Sequence, residues 1–300
     1  MSHSRAEESV YWDLCHRGIE ALLAARLEES EALFRQAYVQ AERHGLLTLT
    51  GRAYCNWAAV QVERGETAGI EVGLSAVLGG SPDLKARQLA AYHLAALYRT
   101  EGRTRVGRFF AEMSLRLATE LGERNSRAVS SHFVGLLLLA ESRLQSAQPY
   151  LEEALDLGFR EDVPAQMLVA ASTLGYCLSL GDASGEAARL LERTDRDLER
   201  LPCPLYQPAV HLNLGFGWLE LGNFDAALHH GRLALHQGSP IRRDVKHTHY
   251  LLGEVFARKG DHQEAREHFE ILRQKFYPNL PDFTELLLIG RTHHFVNWLA

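Results

Sequence analysis

Histidine is the most conspicuous source of chemistry in this sequence, with fifteen imidazoles. They concentrate at His229, His230, His236, His247, His249, His262 and His268, followed by His293 and His294. A metal ion held on one helix needs donors at i and i+3 or i+4, completed by a carboxylate or thiolate. None of these histidines is so spaced: 229/230 and 293/294 are adjacent, 247/249 lie two apart and 262/268 six apart. No H-E-x-x-H occurs, so the spacing reads as surface imidazoles, with no metal and no cofactor expected. The acidic runs Glu28-Glu29-Ser30-Glu31 and Glu152-Glu153 read as solvated helix faces, because paired carboxylates do acid–base work only in a shaped, dehydrated pocket. Cys15, Cys55, Cys177 and Cys203 are scattered without a C-x-x-C pair, the pattern of reduced, mostly buried thiols. No phosphate loop, nucleophile elbow or dinucleotide fingerprint stands in a strand–turn–helix context, and Gly215-Phe216-Gly217 lies inside a helical pattern. The residue chemistry thus offers no catalytic group, and the expectation is a protein that is not an enzyme.

What must position these side chains is a repeated element. The segment Asn213-Leu-Gly-Phe-Gly-Trp-Leu-Glu-Leu-Gly-Asn-Phe-Asp-Ala-Ala-Leu returns as Leu252-Gly-Glu-Val-Phe-Ala-Arg-Lys-Gly-Asp-His-Gln-Glu-Ala. Laid along the chain, the frame puts a small residue at Gly18, Ala58, Ala95, Gly135, Gly175, Gly215 and Gly253, at spacings of 40, 37, 40, 40, 40 and 38. Seven residues beyond each lies a turn column of Ala25, Gly65, Gly102, Ser142, Asp182, Gly222 and Gly260, where glycine accepts the left-handed backbone of a helix end. Twelve residues beyond lies a mostly small column of Ser30, Ile70, Gly107, Ala147, Ala187, Ala227 and Ala265. Small residues at both positions let two helices approach, and Trp57, Leu94, Val134, Leu174, Leu214 and Leu252 are expected to fill the gaps beside them.

These columns resemble those of the tetratricopeptide repeat, in a long-period variant of about 40 residues rather than 34. HEAT and armadillo arrays share that longer period and form the alternative, but the Gly-turn and Ala columns favour the tetratricopeptide pattern. The resemblance implies an all-α, right-handed solenoid of seven antiparallel helix pairs. Residues 1–9 form a tail, 10–281 the array and 282–300 a capping helix. In the cap, Phe283, Leu286, Leu287, Phe295 and Trp298 share an apolar stripe. It also implies that the first helices line a concave groove. Its offsets from the small residue assign partner binding there to His16, Arg52, Asn56, Tyr92, His93, Arg99, Tyr176, Asn213, Phe216, Glu220, Tyr250, Glu254 and Arg258. Such a mixture of aromatics, amides and charges suits an extended peptide or a partner helix, and an Asn on this face can bind peptide backbone bidentately. Some relatives grip a C-terminal carboxylate with lysines in the first repeats. The matching positions here are Cys15, Ile19, Leu89 and His93, so that clamp is expected to be absent. Arrays of this period are also known in bacterial peptide-pheromone sensors and in the regulatory parts of transcription activators. The second functional reading is accordingly a small-ligand or signalling-peptide sensor acting by a change in solenoid curvature.

Composition agrees with an interaction module. Of 300 residues, 46% are apolar and 23% charged, with a net charge of −6. A mildly acidic chain repels phosphate backbones, so nucleic acid is not an expected partner. The strongest basic cluster, Arg103-Thr-Arg105-Val-Gly-Arg108 beside Phe109 and Phe110, reads as a solvated second helix. The longest apolar run, Phe133 to Ala140, is too short to span a bilayer, and the N-terminus lacks the order of a secretory signal. The expected partner is a protein or peptide, and the expected location the cytoplasm.

Overall fold

A computed structural model describes residues 5–289, other than 202 and 240, and among them the regular structure is entirely helical. Seven antiparallel pairs follow in order: α1 (Arg5–Leu23) with α2 (Leu27–Arg43), α3 (Leu47–Arg64) with α4 (Ile70–Gly80), and α5 (Leu84–Thr100) with α6 (Thr104–Leu121). Then come α7 (Arg124–Ala140) with α8 (Leu144–Arg160), and α9 (Pro164–Ser179) with α10 (Ser184–Arg200). The last are α11 (Gln207–Glu220) with α12 (Phe224–Gln237), and α13 (Arg242–Lys259) with α14 (His262–Phe276), followed by the short α15 (Phe283–Leu288). The residues beyond the usual repeat length have gone into the helices: α5, α7 and α8 each have 17 residues. The one repeat of 37 has lost a turn and a half from its second helix, since α4 has only 11 residues.

The turn column behaves as expected except once. Ala25, Gly65, Gly102, Ser142, Gly222 and Gly260 all take positive φ, so the left-handed turn forms even where the residue is not glycine; Asp182 does not. The small column is what makes each pair close. A Cβ on Gly135 or Gly175 would stand 2.7 or 2.6 Å from Leu151 or Leu191, and one on Gly253 would stand 2.2 Å from Phe269. The residue seated against the small position therefore comes from the second helix, sixteen positions on, and not from the neighbour just before the small residue. Those neighbours, Leu94, Val134, Leu214 and Leu252 among them, are nonetheless core residues. In the sixth repeat the sixteenth position is itself small, Gly231, and Leu251 of the following repeat reaches into the space, its Cδ2 2.5 Å from where a Cβ on Gly215 would stand.

Both ends differ from the expectation. The first helix begins at Arg5, inside the stretch assigned to a tail. At the other end Phe283 and Leu287 are buried, the Phe283 ring 4.2 Å from that of Tyr277, while Leu286 is exposed. Phe295, Trp298 and the remainder of the expected capping helix lie outside the described residues.

The array also meets itself. The Leu205 amide donates to the Leu23 carbonyl at 3.3 Å, and Leu205 and Ile241 are buried against Leu27, Phe34, Val60 and Trp57 of the first two repeats. Seven repeats thus complete a turn in which the loops before α11 and α13 close onto α1–α3. The concave face becomes the wall of an interior.

The candidate partner-binding interior

The first helices carry aromatic side chains that pack from one repeat to the next, at differing offsets from the small residue. Tyr92 lies 5.1 Å from Phe133, Tyr176 6.2 Å from Phe216, and Phe216 6.1 Å from Tyr250, measured between ring centres. Rings at this spacing pack edge-on or tilted, which favours their quadrupoles. Tyr176, Phe216 and Tyr250 are buried, so in this closed form they act as a spine between repeats rather than as an open contact surface. Asn213 is committed in the same way, its Nδ2 donating to Ser172 Oγ at 2.9 Å and Thr173 Oγ1 at 3.1 Å. His132 Nε2 meets the same Thr173 hydroxyl at 3.0 Å.

The other assigned residues divide by position. His16 is exposed on α1, its ring 6.4 Å from Trp12. Arg52 makes a two-toothed pair with Asp83, Nε to Oδ2 at 2.5 Å and NH2 to Oδ1 at 2.9 Å. Asp83 also caps α5 by accepting from the Lys85 and Ala86 amides. Burial alone would raise the Asp83 pKa, but Arg52 and those amides outweigh it and hold the carboxyl below its usual value. Asn56 Nδ2 stands 4.0 Å from Cys15 Sγ. Glu220, Glu254 and Arg258 are brought together, with Arg258 NH2 3.2 Å from Glu220 and its Nε 3.7 Å from Glu254. The four cysteines are buried thiols, as expected.

Tyr92, His93 and Arg99 belong to a more concentrated constellation. Arg99 places its guanidinium 5.3 Å over the Phe133 ring. Across the interior, Arg243 NH2 stands 3.9 Å from Glu63, and Arg243 Nε 3.7 Å from Asp244. Asp244 accepts from Ser239 Oγ at 2.8 Å. Burial, reinforced by the charge of Arg243, lowers the Arg99 pKa to about 9. The same causes, with Arg99 adding, lower Lys246 to about 8. Both remain cationic at neutral pH, so Arg99, Arg243 and Lys246 face two carboxylates, Glu63 and Asp244. Burial and then Glu63 push the Tyr92 phenol up to about 12, and burial takes His93 down to about 4. The interior therefore gathers these cations and acidic groups beside a neutral imidazole and phenol.

Lys246, Arg243 and Asp244 were not legible as site residues from the repeat offsets. They enter from the start of α13, and they reach the interior only because the array completes its turn. The histidine reading also needs correction: His230, His247 and His249 are buried, and His211 with them, not surface imidazoles. By contrast the basic cluster at α6 is largely solvated, with Arg108 paired to Glu112 and Glu141 and Arg103 to Glu101. Among the described residues no helix is long and apolar enough to cross a membrane.

No family model matches the chain, and neither does any curated protein. Solved structures do. A Rap protein complexed with Competence and Sporulation Factor superposes with a TM-score of 0.70 at 14% identity, over 93% of this chain and 76% of that one. NprR in complex with its cognate peptide NprX gives 0.68 at 13% identity, over 98% and 86%. A tetratricopeptide repeat protein from Parabacteroides merdae gives 0.55 at 14%, over 94% and 98%. At these identities what is shared is the fold, a tetratricopeptide-like α-solenoid.

Proposed function

We propose that this tetratricopeptide-like solenoid is a peptide-binding regulator or adaptor that holds a short segment in its concave interior. The observation that carries this reading is the joining of aromatic rings and cationic side chains in one lining: Tyr92, Phe133 and Arg99 on one wall, Arg243 and Lys246 on the other. Aromatic faces supply contact area at low entropy cost, and a cation in a partly dehydrated space favours an acidic group on the ligand. Two of the similar structures were solved with a factor or peptide bound, which supports the same reading. Recognition rather than turnover is the proposed activity, and a cytoplasmic location fits the thiols.

A second reading, a sensor that responds by changing curvature, is favoured by the closure itself. The Arg243–Glu63 pair lies beside the Leu205–Leu23 contact that joins the ends of the turn. A ligand group that competes for Arg243 acts on that closure directly.

Asn213 and Phe216 are poor positions at which to test the interior, because their removal damages the packing between repeats. Tyr92→Leu combined with Arg243→Gln leaves the spine intact. A displayed library of random peptides selected on the wild-type chain is expected to yield a family containing an acidic residue, and the double variant to lose it. Equal enrichment on both proteins, or no enrichment on the wild type, refutes an interior peptide site.

A further inference from the structure

His211 and His230 face each other across the sixth repeat, Nδ1 to Nδ1 at 3.2 Å, from α11 and α12. Their ring centres are 5.4 Å apart, so the nitrogen edges and not the ring faces make the approach. Asp195, on α10 of the preceding repeat, brings Oδ1 to 3.9 Å from His230 Nε2. One donor atom from each of the three lies within 4.8 Å of the others. Both imidazoles are buried, whereas Asp195 lies at the surface with 40% of its side chain exposed.

We propose that Asp195, His211 and His230 form a site for a divalent transition metal, zinc in the first instance, that ties the fifth repeat to the sixth. Two imidazole nitrogens on one tetrahedral zinc, with bonds of about 2.0–2.1 Å, stand roughly 3.3 Å apart. The observed pair is already at that separation. A side-chain rotation brings the exposed carboxylate in as the third donor, and water takes the fourth position, open toward the Asp195 side. The two Nδ1 atoms cannot both carry a proton at this distance. Zinc takes the place of the shared proton, which moves to the Nε2 of the ring that held it, so no proton is lost. Two histidines and a carboxylate suit zinc better than calcium or magnesium, which take oxygen ligands.

The chain carries its own control. His249 and His268 occupy the same two columns one repeat later, Nδ1 to Nδ1 at 3.1 Å. Among the described residues that pair has no carboxylate placed to make a third donor, and only the Asp195 trio does. A pairing that merely fills the interface between two helices is served equally by either.

The test uses the full chain without a histidine tag, stripped with chelator, and titrated with zinc by calorimetry and with cobalt by visible absorption. The expected result is one equivalent of zinc bound, the visible bands of four-coordinate cobalt, and a melting temperature that rises with zinc concentration. Asp195→Asn, a surface change that leaves the packing alone, is expected to weaken zinc at least tenfold, and His230→Gln to abolish the cobalt bands. His249→Gln is expected to leave both intact. Failure of the wild type to bind one equivalent overturns the proposal, as does binding unaffected by Asp195→Asn or lost equally in His249→Gln.

Discussion

Single residues in this solenoid carry strain where the repeat demands glycine and the sequence supplies something else. Ala25 and Ser142 sit at φ 61° and 58°, in the turn column that is glycine in four other repeats. A Cβ in the left-handed region costs roughly 1–2 kcal/mol, offset in part by the greater freedom of glycine in the unfolded chain. Ser142→Gly and Ala25→Gly are therefore each expected to stabilise the chain by about 0.5–1 kcal/mol in denaturant melts. No change, or a loss, contradicts the turn geometry. The buried histidines set a second dependence at this scale. His93, His211, His230 and His249 are each held near pKa about 4, chiefly by burial. An unfolded histidine titrates near 6.5. Between those values the unfolded chain binds more protons than the folded one, so stability is fully present above pH 6.5 and falls as pH drops toward 4. The slope is on the order of 1 kcal/mol per pH unit for each such histidine. Melting temperatures measured from pH 7 to 4.5 are expected to fall steadily, and less steeply in His93→Gln.

At the scale of the helix pair, one glycine and one large side chain form a matched set, and changing either alone breaks the fit. Gly175→Ala places a methyl 2.6 Å from Leu191 Cδ2, which the packed pair cannot absorb without moving. Overpacking of this kind costs about 1–3 kcal/mol. The reverse change of the partner, Leu191→Val, opens space and costs a comparable amount alone. Combined, the two are expected to be less destabilising than their sum by 0.5 kcal/mol or more, an interaction energy that a double-mutant cycle measures directly. Strict additivity would mean the two side chains are not in contact. The glycine half of this set was legible in the sequence because it recurs every 40 residues or so. Its partner was not, because the column sixteen positions on reads Phe34, Leu74, Ala111, Leu151, Leu191, Gly231 and Phe269, too varied to announce one role. The histidine pairs escaped for a related reason. A rule of i and i+4 searches one helix, whereas His211 and His230 lie 19 apart on two helices that a turn folds together.

The whole molecule adds what no repeat contains. A linear array obeys nearest-neighbour energetics, so a substitution is felt in its own repeat and the two beside it. Period and columns report this local order, which is why helix pairing and turns could be read from sequence while the composition of the interior could not. Closure changes the energetics: Leu205 and Ile241 are buried against Leu27, Phe34 and Val60, some 180 residues earlier. Replacing Leu205 with Glu forces a charge into that contact, and loss of a buried leucine alone costs about 2–5 kcal/mol. Hydrogen exchange locates the damage. In an open array, faster exchange stays within the repeats around α11. In the closed one, α2 and α3 must also lose protection, and the radius of gyration from solution scattering must rise, while helical content by circular dichroism is unchanged. Exchange confined to the neighbourhood of residue 205 would show that the ends do not hold each other in solution. The cations on α13 would then stand apart from Tyr92 and Arg99, and the enclosed interior on which the proposed peptide recognition depends would not exist.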